Sequence, residues 1–363
     1  MAKRVSVDKT LFAVTLVLVA VGLVMVFSAS AVMAQERFGS AYTFLFRQLA
    51  WAAAGLVAML VTTQVDYRRY KHPAVVFSLL GLTTLLLVAV LFFDRSHNTH
   101  RWFRIWAFSF QPSELAKPAL VLFLAYFLQG RAKAMDDWRR TLVPAALPVL
   151  LFAALIVKQP DLGTAIVCLA ISAIVLFVAG MSLRYVAFAA LAAIPFLYLL
   201  VFRVSWRYER ILAFLDPWSD PLGRGFHIIQ SLIAVGTGGF TGIGLMEGKQ
   251  KLFYLPEPHT DFIFAVLAEE LGLIGSLVLV ALFGIFLYRG MRAALATQDT
   301  FARYLATGIT AIIGVQALLN ISVVLGLMPT KGIPLPFISY GGSSLFMMLA
   351  SVGVLLNITR SLD

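Results

Sequence analysis

Charged residues are scarce in this sequence. Asp, Glu, Lys and Arg make up 13% of the 363 residues and hydrophobic residues 60%, whereas a soluble domain is roughly half apolar and a quarter charged. With a mean hydropathy of +0.89, this imbalance excludes an ordinary soluble fold and indicates a polytopic membrane protein. Cysteine is almost absent as well: Cys168 stands alone inside an apolar run, so an internal disulfide is excluded.

The sequence also lacks a basic cluster. Its formal net charge of +11 could suggest a nucleic-acid partner, but the lysines and arginines are scattered between apolar runs. No stacking platform of aromatic residues accompanies them, so we expect no nucleic-acid binding. On a membrane protein, this positive charge is better explained by topology and by anionic partners such as lipid headgroups or a diphosphate.

Long apolar runs are abundant. A membrane-spanning helix needs about 20 mainly apolar residues, and ten runs are candidates. The first run is longer than the core of a usual signal peptide, which favours an uncleaved span. The chain is therefore predicted to be an all-α polytopic membrane protein with a single membrane domain over residues 1–363. The ten predicted spans are residues 11–33, 45–65, 73–93, 113–129, 142–157, 161–180, 184–203, 261–288, 302–327 and 341–358.

Charge bias predicts the orientation of these spans. Ten spans place both termini on one side, and with the termini inside, the inner segments carry about twice as many lysines and arginines as the short outer loops. Both termini are therefore predicted to be cytoplasmic. The long loop of residues 204–260, between spans 7 and 8, then lies outside and is predicted to form an ordered cap. Its glycine-rich residues 236–244 look like a dinucleotide-binding loop, but no strand–helix unit surrounds them and they lie on the wrong side for NAD, so they are predicted to be flexible.

Asp261 marks the point where a polar, proline-containing loop becomes span 8. A carboxylate at the mouth of a membrane helix is unfavourable unless it is paired or functional. The first turn of a helix reduces that cost, because the helix dipole is positive there. Asp261 is therefore a candidate catalytic base, and a simple helix-capping carboxylate is the alternative.

Three further acidic residues and one lysine lie near this outer face. Glu114 and Lys117 are three positions apart at the start of span 4 and share a helix face, as a structural ion pair or as substrate contacts. Asp161 opens span 6 and completes a network with Lys117 if spans 4 and 6 are neighbours; a helix-start role is the alternative. Glu269, two turns below Asp261, is predicted to project into the same cavity, with a buried protonated carboxyl as the alternative.

Residues 328–344 contain three prolines, which keep most of the segment non-helical. Ser343 and Ser344 then open span 10, where free backbone N–H groups and the helix dipole can bind an anion. Lys331 adds a positive charge for a phosphate. An ordinary tight turn with capping serines is the alternative.

Together these motifs resemble the SEDS family of membrane proteins, which includes RodA, FtsW and SpoVE. The resemblance extends over nearly the whole chain and keeps one order of motifs. Residues 326–332 are most similar to the division branch, FtsW, although Pro334 departs from the threonine that this branch favours. The motifs that carry the resemblance are residues 27–30, 110–117, 159–164, 210–218, 229–232, 255–272 and 334–344.

The resemblance implies a peptidoglycan glycosyltransferase of the bacterial cytoplasmic membrane. Such an enzyme polymerises lipid II into a lipid-linked glycan strand on the outer face and works with a class B penicillin-binding transpeptidase. The essential aspartate of the family falls on Asp261, and its Glu–Lys pair and partner aspartate fall on Glu114, Lys117 and Asp161. His259 and Arg210, which lie in matching motifs, are further candidates for substrate binding.

That chemistry needs one base. The acceptor hydroxyl must lose a proton, whereas the leaving undecaprenyl diphosphate is already a stable anion, so a second carboxyl acting as an acid is unnecessary. The diphosphate needs positive charge, from Lys331, the start of span 10, Lys117 or a divalent cation such as Mg²⁺ or Mn²⁺. No residue is assigned as a metal ligand. A lipid II flippase and a non-enzymatic scaffold for the transpeptidase are the competing hypotheses.

Overall fold

The computed structural model describes residues 7–93, 100–105, 108–131, 134–135, 137–252 and 254–361. Within these residues the chain is almost entirely helical. The short elements are 3₁₀ helices at Tyr67–Lys71 and Pro217–Ser219 and a π turn at Trp138–Leu142. The α-helices are α1 Lys9–Phe38, α2 Thr43–Gln64, α3 Pro73–Phe93, α4 Pro112–Leu128, α5 Val143–Lys158, α6 Leu162–Val178, α7 Leu183–Phe202, α8 Ser205–Leu215, α9 Phe226–Thr237, α10 Ile263–Ala296, α11 Thr300–Val324 and α12 Gly342–Arg360.

A helix occupies the position of every predicted span, in α1–α7 and α10–α12. Eight helical stretches of the described chain are long and apolar enough to cross a membrane, if the π turn Trp138–Leu142 is counted together with α5, which makes this a multi-pass membrane protein. The other two, α4 and α6, have 17 residues each because polar residues precede their first turns. The number of ten spans, the cytoplasmic termini and the single domain stay predictions.

The centre of the bundle is formed by α4, α6 and α11. Helix α4 packs against α3, α6 and α11, while α12 lies along α2 and α1 packs against α10. Helix α7 is different: it packs against α8, and none of its described side chains is buried. A helix that is apolar on all sides and unburied in this way suits contact with lipid.

One short hairpin departs from the all-α prediction. Strands β1 Phe103–Ile105 and β2 Phe108–Phe110 pair antiparallel just before α4, with Phe103 opposite Phe110. Each strand alternates an aromatic or aliphatic residue with a polar one, which is the two-residue period of a strand. The segment was too short for this period to outweigh the helical pattern around it.

The loop of residues 204–260, here called the outer loop after its predicted side, contains two helices and a glycine-rich segment. Helix α9 packs against α10 and α11, and Ser231 donates a hydrogen bond to the carbonyl of Val324 (2.8 Å). The following residues 236–244, here called the glycine strap, cross α10. The prediction of an ordered cap is consistent with these contacts, but the predicted flexibility of the glycine strap is wrong.

The strap is ordered because α10 is interrupted beneath it. At Gly272 the backbone has φ 66° and ψ −164°, a conformation that glycine alone tolerates. The peptide groups released by this break bond the strap, since unpaired backbone groups are unfavourable in a membrane. The four bonds are Ile243 N–H to Glu269 O (3.1 Å), Gly244 N–H to Glu270 O (3.1 Å), Leu273 N–H to Gly239 O (2.9 Å) and Ile274 N–H to Phe240 O (3.1 Å).

This geometry predicts that Gly272→Ala destabilises the protein. A Cβ at this position would lie 2.2 Å from the amide nitrogen of Gly242, and the backbone conformation alone costs about 1–3 kcal/mol. Gly284→Ala is the matched control, because a Cβ there meets no atom within 4 Å and the residue lies in the same helix. Thermal unfolding in detergent measures both. Equal melting temperatures for the two variants would contradict the strained break.

Candidate active site

Asp261 lies in the turn just before α10, and its side chain is half-buried. The carboxylate faces Gly332: a Cβ built on that glycine would lie 3.1 Å from Oδ2 of Asp261. Gly332 belongs to residues 328–341, here called the proline segment, which connects α11 to α12. The absence of a side chain at Gly332 therefore leaves room for the carboxylate.

The surroundings of Asp261 favour its protonated form. Burial raises its pKa to about 7, and the negative charges of Glu257 and Asp161 act in the same direction. The positive charges of Arg210 and Arg101 act against them. Burial therefore outweighs the cations, and the carboxyl titrates near neutral pH. A carboxylate with this pKa can accept a proton from a hydroxyl and release it again to water.

One of these cations, Arg210, comes from a different segment from the acids. Nη1 of Arg210, on α8, donates to the carbonyl of Thr330 (3.4 Å), which joins the outer loop to the proline segment next to Lys331. Burial lowers the pKa of both Arg210 and Lys331. Asp261, Arg210 and Lys331, which were predicted separately, are therefore brought to one region.

Arg101 is a member of this region that sequence analysis missed. Its Nε donates to the carbonyl of Gln159 (3.0 Å), and its guanidinium also bonds the carbonyl of Pro160, the residue before Asp161. Arg101 lies far from Asp261 in sequence. Only its bonds to the backbone before α6 show that its charge acts on Asp261.

His259 lies close to this region but is enclosed. Its ring packs against Phe44 (4.7 Å between centroids) and Tyr340 (5.5 Å), and 4% of the residue is exposed. Burial, with the nearby charge of Arg37, lowers its pKa to about 4, so the ring is neutral at pH 7. Little of its surface is left for a substrate. Its predicted role in binding stays untested.

The backbone carbonyls of His259 and Thr260 are bonded to the proline segment. The Ser339 hydroxyl donates to the carbonyl of Thr260 (2.6 Å), and the Tyr340 amide donates to the carbonyl of His259 (2.9 Å). The same Ser339 hydroxyl accepts from the Leu335 amide (2.8 Å). The two non-helical segments thus provide hydrogen-bond partners for each other's backbone groups, as backbone at membrane depth requires.

The predicted anion site at the start of α12 is built from Ser343 and Ser344, both of them buried. The backbone N–H of Gln111 donates to the Ser343 hydroxyl (3.3 Å), which connects this end to the start of α4. The Ser344 hydroxyl has no hydrogen-bond partner within the described structure. Anion binding at this end stays a prediction.

Glu114 and Lys117 form a buried ion pair. Nζ of Lys117 lies 2.7 Å from Oε2 of Glu114 and 2.9 Å from Oε1 of Gln316 on α11, and each of the paired residues is 2% exposed. The i, i+3 pairing was predicted, and the structural alternative describes it best. Gln316 was missed, because a single sequence does not show which helix faces α4.

The predicted contact between Lys117 and Asp161 is wrong, although α4 and α6 are neighbours. Asp161 instead caps α6: it accepts from the amide (3.0 Å) and hydroxyl (2.8 Å) of Thr164. Its other contact is with Nε2 of Gln111 (3.3 Å). The helix-start role therefore uses the oxygens that a network with Lys117 would have needed.

Glu269 and its neighbour Glu270 bind residues of the outer loop through hydrogen bonds and an ion pair. Glu269 accepts the backbone N–H groups of Lys249 (2.9 Å) and Gln250 (3.3 Å). Glu270 pairs with Lys251 (2.6 Å), and both contact the hydroxyl of Ser28 on α1. The predicted projection of Glu269 toward Asp261 is replaced by this contact with the loop. Lys251 was missed because nothing near it in sequence predicts that it enters the bundle.

The buried pair on α4 predicts a loss of stability in Lys117→Met. Removing the lysine leaves Glu114 as a buried, unpaired carboxyl, a change that costs about 3–5 kcal/mol. The double variant Glu114→Gln, Lys117→Met removes both charges and should recover most of this loss. Thermal unfolding of the three proteins measures the effect. Wild-type melting and wild-type turnover in Lys117→Met would contradict it.

Comparison with known proteins gives one family. The family model of cell cycle proteins of the FtsW, RodA and SpoVE type matches residues 8–363. The chain is 46% identical to the probable peptidoglycan glycosyltransferase FtsW of Geobacter sp. (strain M18) over 353 residues, which cover 97% of this chain and 96% of that protein. It is 45% identical to stage V sporulation protein E of Bacillus subtilis (strain 168), with 99% and 98% covered.

Solved structures agree with this result. A chain of a peptidoglycan synthase complex that coordinates polymerization and crosslinking superposes with a TM-score of 0.82 at 34% identity, covering 98% of each chain. The rod shape determining protein RodA of Thermus thermophilus superposes with a TM-score of 0.71 at 31% identity, covering 98% of this chain and 97% of that one. The chain therefore belongs to the FtsW, RodA and SpoVE family of cell cycle proteins.

Proposed function

We propose that this protein is a peptidoglycan glycosyltransferase that polymerises lipid II, with Asp261 as its general base. Curated relatives that match almost the full chain carry the name of this activity. The observation that carries the mechanism is the position of Asp261: its carboxyl lies beside Gly332 with a pKa raised to about 7, in the field of Arg210 and Arg101. A base with a pKa near the working pH is suited to proton transfer.

The reaction is one displacement. The Asp261 carboxylate takes the proton of the acceptor 4-hydroxyl. At the same time, the oxygen of that hydroxyl forms a bond to the anomeric carbon of the lipid-linked donor strand. The bond from that carbon to undecaprenyl diphosphate breaks, and the diphosphate leaves with the electron pair. Attack opposite the leaving group inverts the sugar. The leaving group needs no proton, which explains why one base is enough.

Positive charge near the base stabilises the diphosphate. Arg210 and Lys331 lie on two segments joined by the Arg210–Thr330 bond, and Arg101 faces them from the start of the hairpin. Guanidinium groups match phosphate oxygens in a bidentate manner. We assign donor diphosphate binding to these three residues, with the start of α12 and Ser344 as a further contact.

A divalent cation would be compatible with this site as a further source of positive charge. Mg²⁺ and Mn²⁺ take carboxylate oxygens, and Mg²⁺ is commonly held by one or two carboxylates together with substrate phosphates. No group of three potential ligands occurs in the described residues, so a bound cation would take its other ligands from the diphosphate and water. It would then supply additional charge to the leaving group.

The protein is proposed to act at the outer face of the bacterial cytoplasmic membrane, with both termini in the cytoplasm. The positive-inside bias supports this orientation. The polyprenyl tails of donor and acceptor then stay in lipid while their sugars reach Asp261. The proposed partner is a class B penicillin-binding transpeptidase, because a similar chain belongs to a complex that coordinates polymerization with crosslinking.

Two other functions remain alternatives. In a lipid II flippase, intramembrane polar residues would line a path through the bundle. The Glu114–Lys117 pair is buried and bonded to Gln316, which is more typical of a structural contact than of an open path. A scaffold that recruits the transpeptidase would need neither a titrating Asp261 nor the surrounding cations.

Loss of polymerisation in Asp261→Asn is the direct test. Removing a general base slows a reaction by about 10²–10⁴-fold, because the hydroxyl must then lose its proton unaided. Purified protein with its partner, whose transpeptidation is blocked, receives labelled lipid II, and the glycan is sized. Asp220→Asn is the matched control, since Asp220 also lies in the outer loop but caps a local turn at Gly223. Undiminished polymer from a folded Asp261→Asn would refute the mechanism.

The rate should also depend on pH through Asp261. Because the base works when ionised and its pKa is raised to about 7, polymerisation should increase as the pH rises through about 7 and level off above it. The charges that face the carboxyl are Glu257, Asp161, Arg210 and Arg101, with Lys331 next to Gly332.

After burial, the charge of Glu257 raises this pKa most, so Glu257→Gln should move the acid limb, which is the rise of the rate with pH, to lower pH. Glu247→Gln, another glutamate of the outer loop, should leave the limb in place. The rate of lipid II consumption between pH 5 and pH 9 provides the measurement. If the acid limb does not move in Glu257→Gln, it reflects the titration of a group other than Asp261.

A further inference from the structure

Asn320 of α11 binds the backbone on both sides of the site. Its Nδ2 donates to the carbonyl of Asp261 (2.8 Å) and to the carbonyl of Ile333 in the proline segment (2.8 Å). An amide nitrogen carries two hydrogens, so both bonds form at once. The residue is 1% exposed, and sequence analysis missed it because it lies inside an apolar span, four residues before the end of α11.

The orientation of this amide follows from its partners. A flipped side chain would place Oδ1 against two carbonyl oxygens, which repel it. In the observed orientation Oδ1 is buried without a hydrogen-bond partner in the described structure. An asparagine with an unpaired buried oxygen is a poor choice for filling space, so the two donated bonds account for its presence.

These two bonds determine where the carboxylate of Asp261 lies. The side chain of Asp261 faces Gly332, which is the neighbour of Ile333. One amide therefore sets the separation between the backbone that carries the base and the segment that carries Lys331. The other bonds between these segments act on Thr260 and His259, before Asp261.

We infer that Asn320 is a positioning residue for polymerisation, which holds the carboxylate of Asp261 in register with the proline segment. This inference rests on the proposed role of Asp261 as the base. Asn320 touches neither substrate nor the reacting atoms. It acts through the backbone carbonyls of Asp261 and Ile333, and a displacement of about 1 Å in a reacting group can lower a rate by about 10²-fold.

Asn357 provides a matched control within the same protein. It is 8% exposed and makes the same kind of connection: Nδ2 donates to the carbonyl of Thr63 (2.8 Å), and Oδ1 accepts from the amide of Tyr67 (2.9 Å). It lies fifteen residues along α12 from its start at Gly342, which is about 22 Å in a helix. Its loss should weaken the fold without moving Asp261.

The experiment compares Asn320→Leu with Asn357→Leu, each of which keeps nearly the size of the side chain, removes the amide donor and adds no charge. Melting temperature, kcat, KM for lipid II and the pH profile are measured for both. Asn320→Leu should lower kcat on the order of 10²-fold with KM within about threefold, since substrate contacts are kept. Its acid limb should move below about pH 7, because a loosened carboxylate is better hydrated. Asn357→Leu should lower the melting temperature alone.

The outcomes separate the two proposals. Wild-type kcat and pH profile in Asn320→Leu, with inactive Asp261→Asn, would overturn the positioning role and leave the base intact. Active Asp261→Asn would overturn the proposed function itself. An equal loss of kcat in both leucine variants would also overturn the positioning role, because general destabilisation would explain it. If Asn320→Leu does not fold, Asn320→Ser retains one donor and is judged by the same kcat and pH profile.

Discussion

Backbone hydrogen bonding within a membrane is the constraint on which this structure depends. Peptide groups away from water must be paired, so any non-helical segment at that depth needs a partner elsewhere in the chain. The stretch of α10 from Ile263 to Gly272 meets this need in a different way at each end. At Gly272 the broken helix bonds the glycine strap, and before Ile263 the turn that carries Asp261 bonds the proline segment. The site is therefore formed by segments that complete each other's hydrogen bonding.

Buried charge separates the residues that stabilise the bundle from those proposed to work. Lys117 and Lys251 each have a carboxylate within 2.7 Å, and both pairs are buried. Such pairs are expected to be fixed in one arrangement, because separating them is unfavourable. Asp261 is different: it lies in the field of arginines, and burial keeps its pKa near neutrality. Its charge can change during a reaction cycle, whereas the paired groups stay as they are.

A feature could be predicted from the sequence when the residues that determine it lie close together in the chain. Spanning helices depend on local apolar composition, and all ten predicted spans coincide with helices. The i, i+3 pair of Glu114 and Lys117 is also local and was predicted correctly. For Asp161 two alternatives were open, a network with Lys117 and a helix-start role, and its oxygens cap its own helix. The glycine strap was predicted to be flexible, because the break in α10 that orders it lies about 30 residues away in sequence.

The sequence by itself determined that the chain is a helical membrane protein and that Asp261 is the leading candidate for a catalytic base. Apolar length and an ionisable residue at a helix mouth are properties of a few neighbouring residues, and they survive any arrangement of the bundle. Only the tertiary structure decided what surrounds that carboxylate. Arg101 and Asn320 reach it from segments 160 and 59 positions away, and their effect depends on distances that neither residue's local sequence encodes. Burial and pairing are properties of the packed bundle, which is why the pKa of Asp261 and its position belong to the fold.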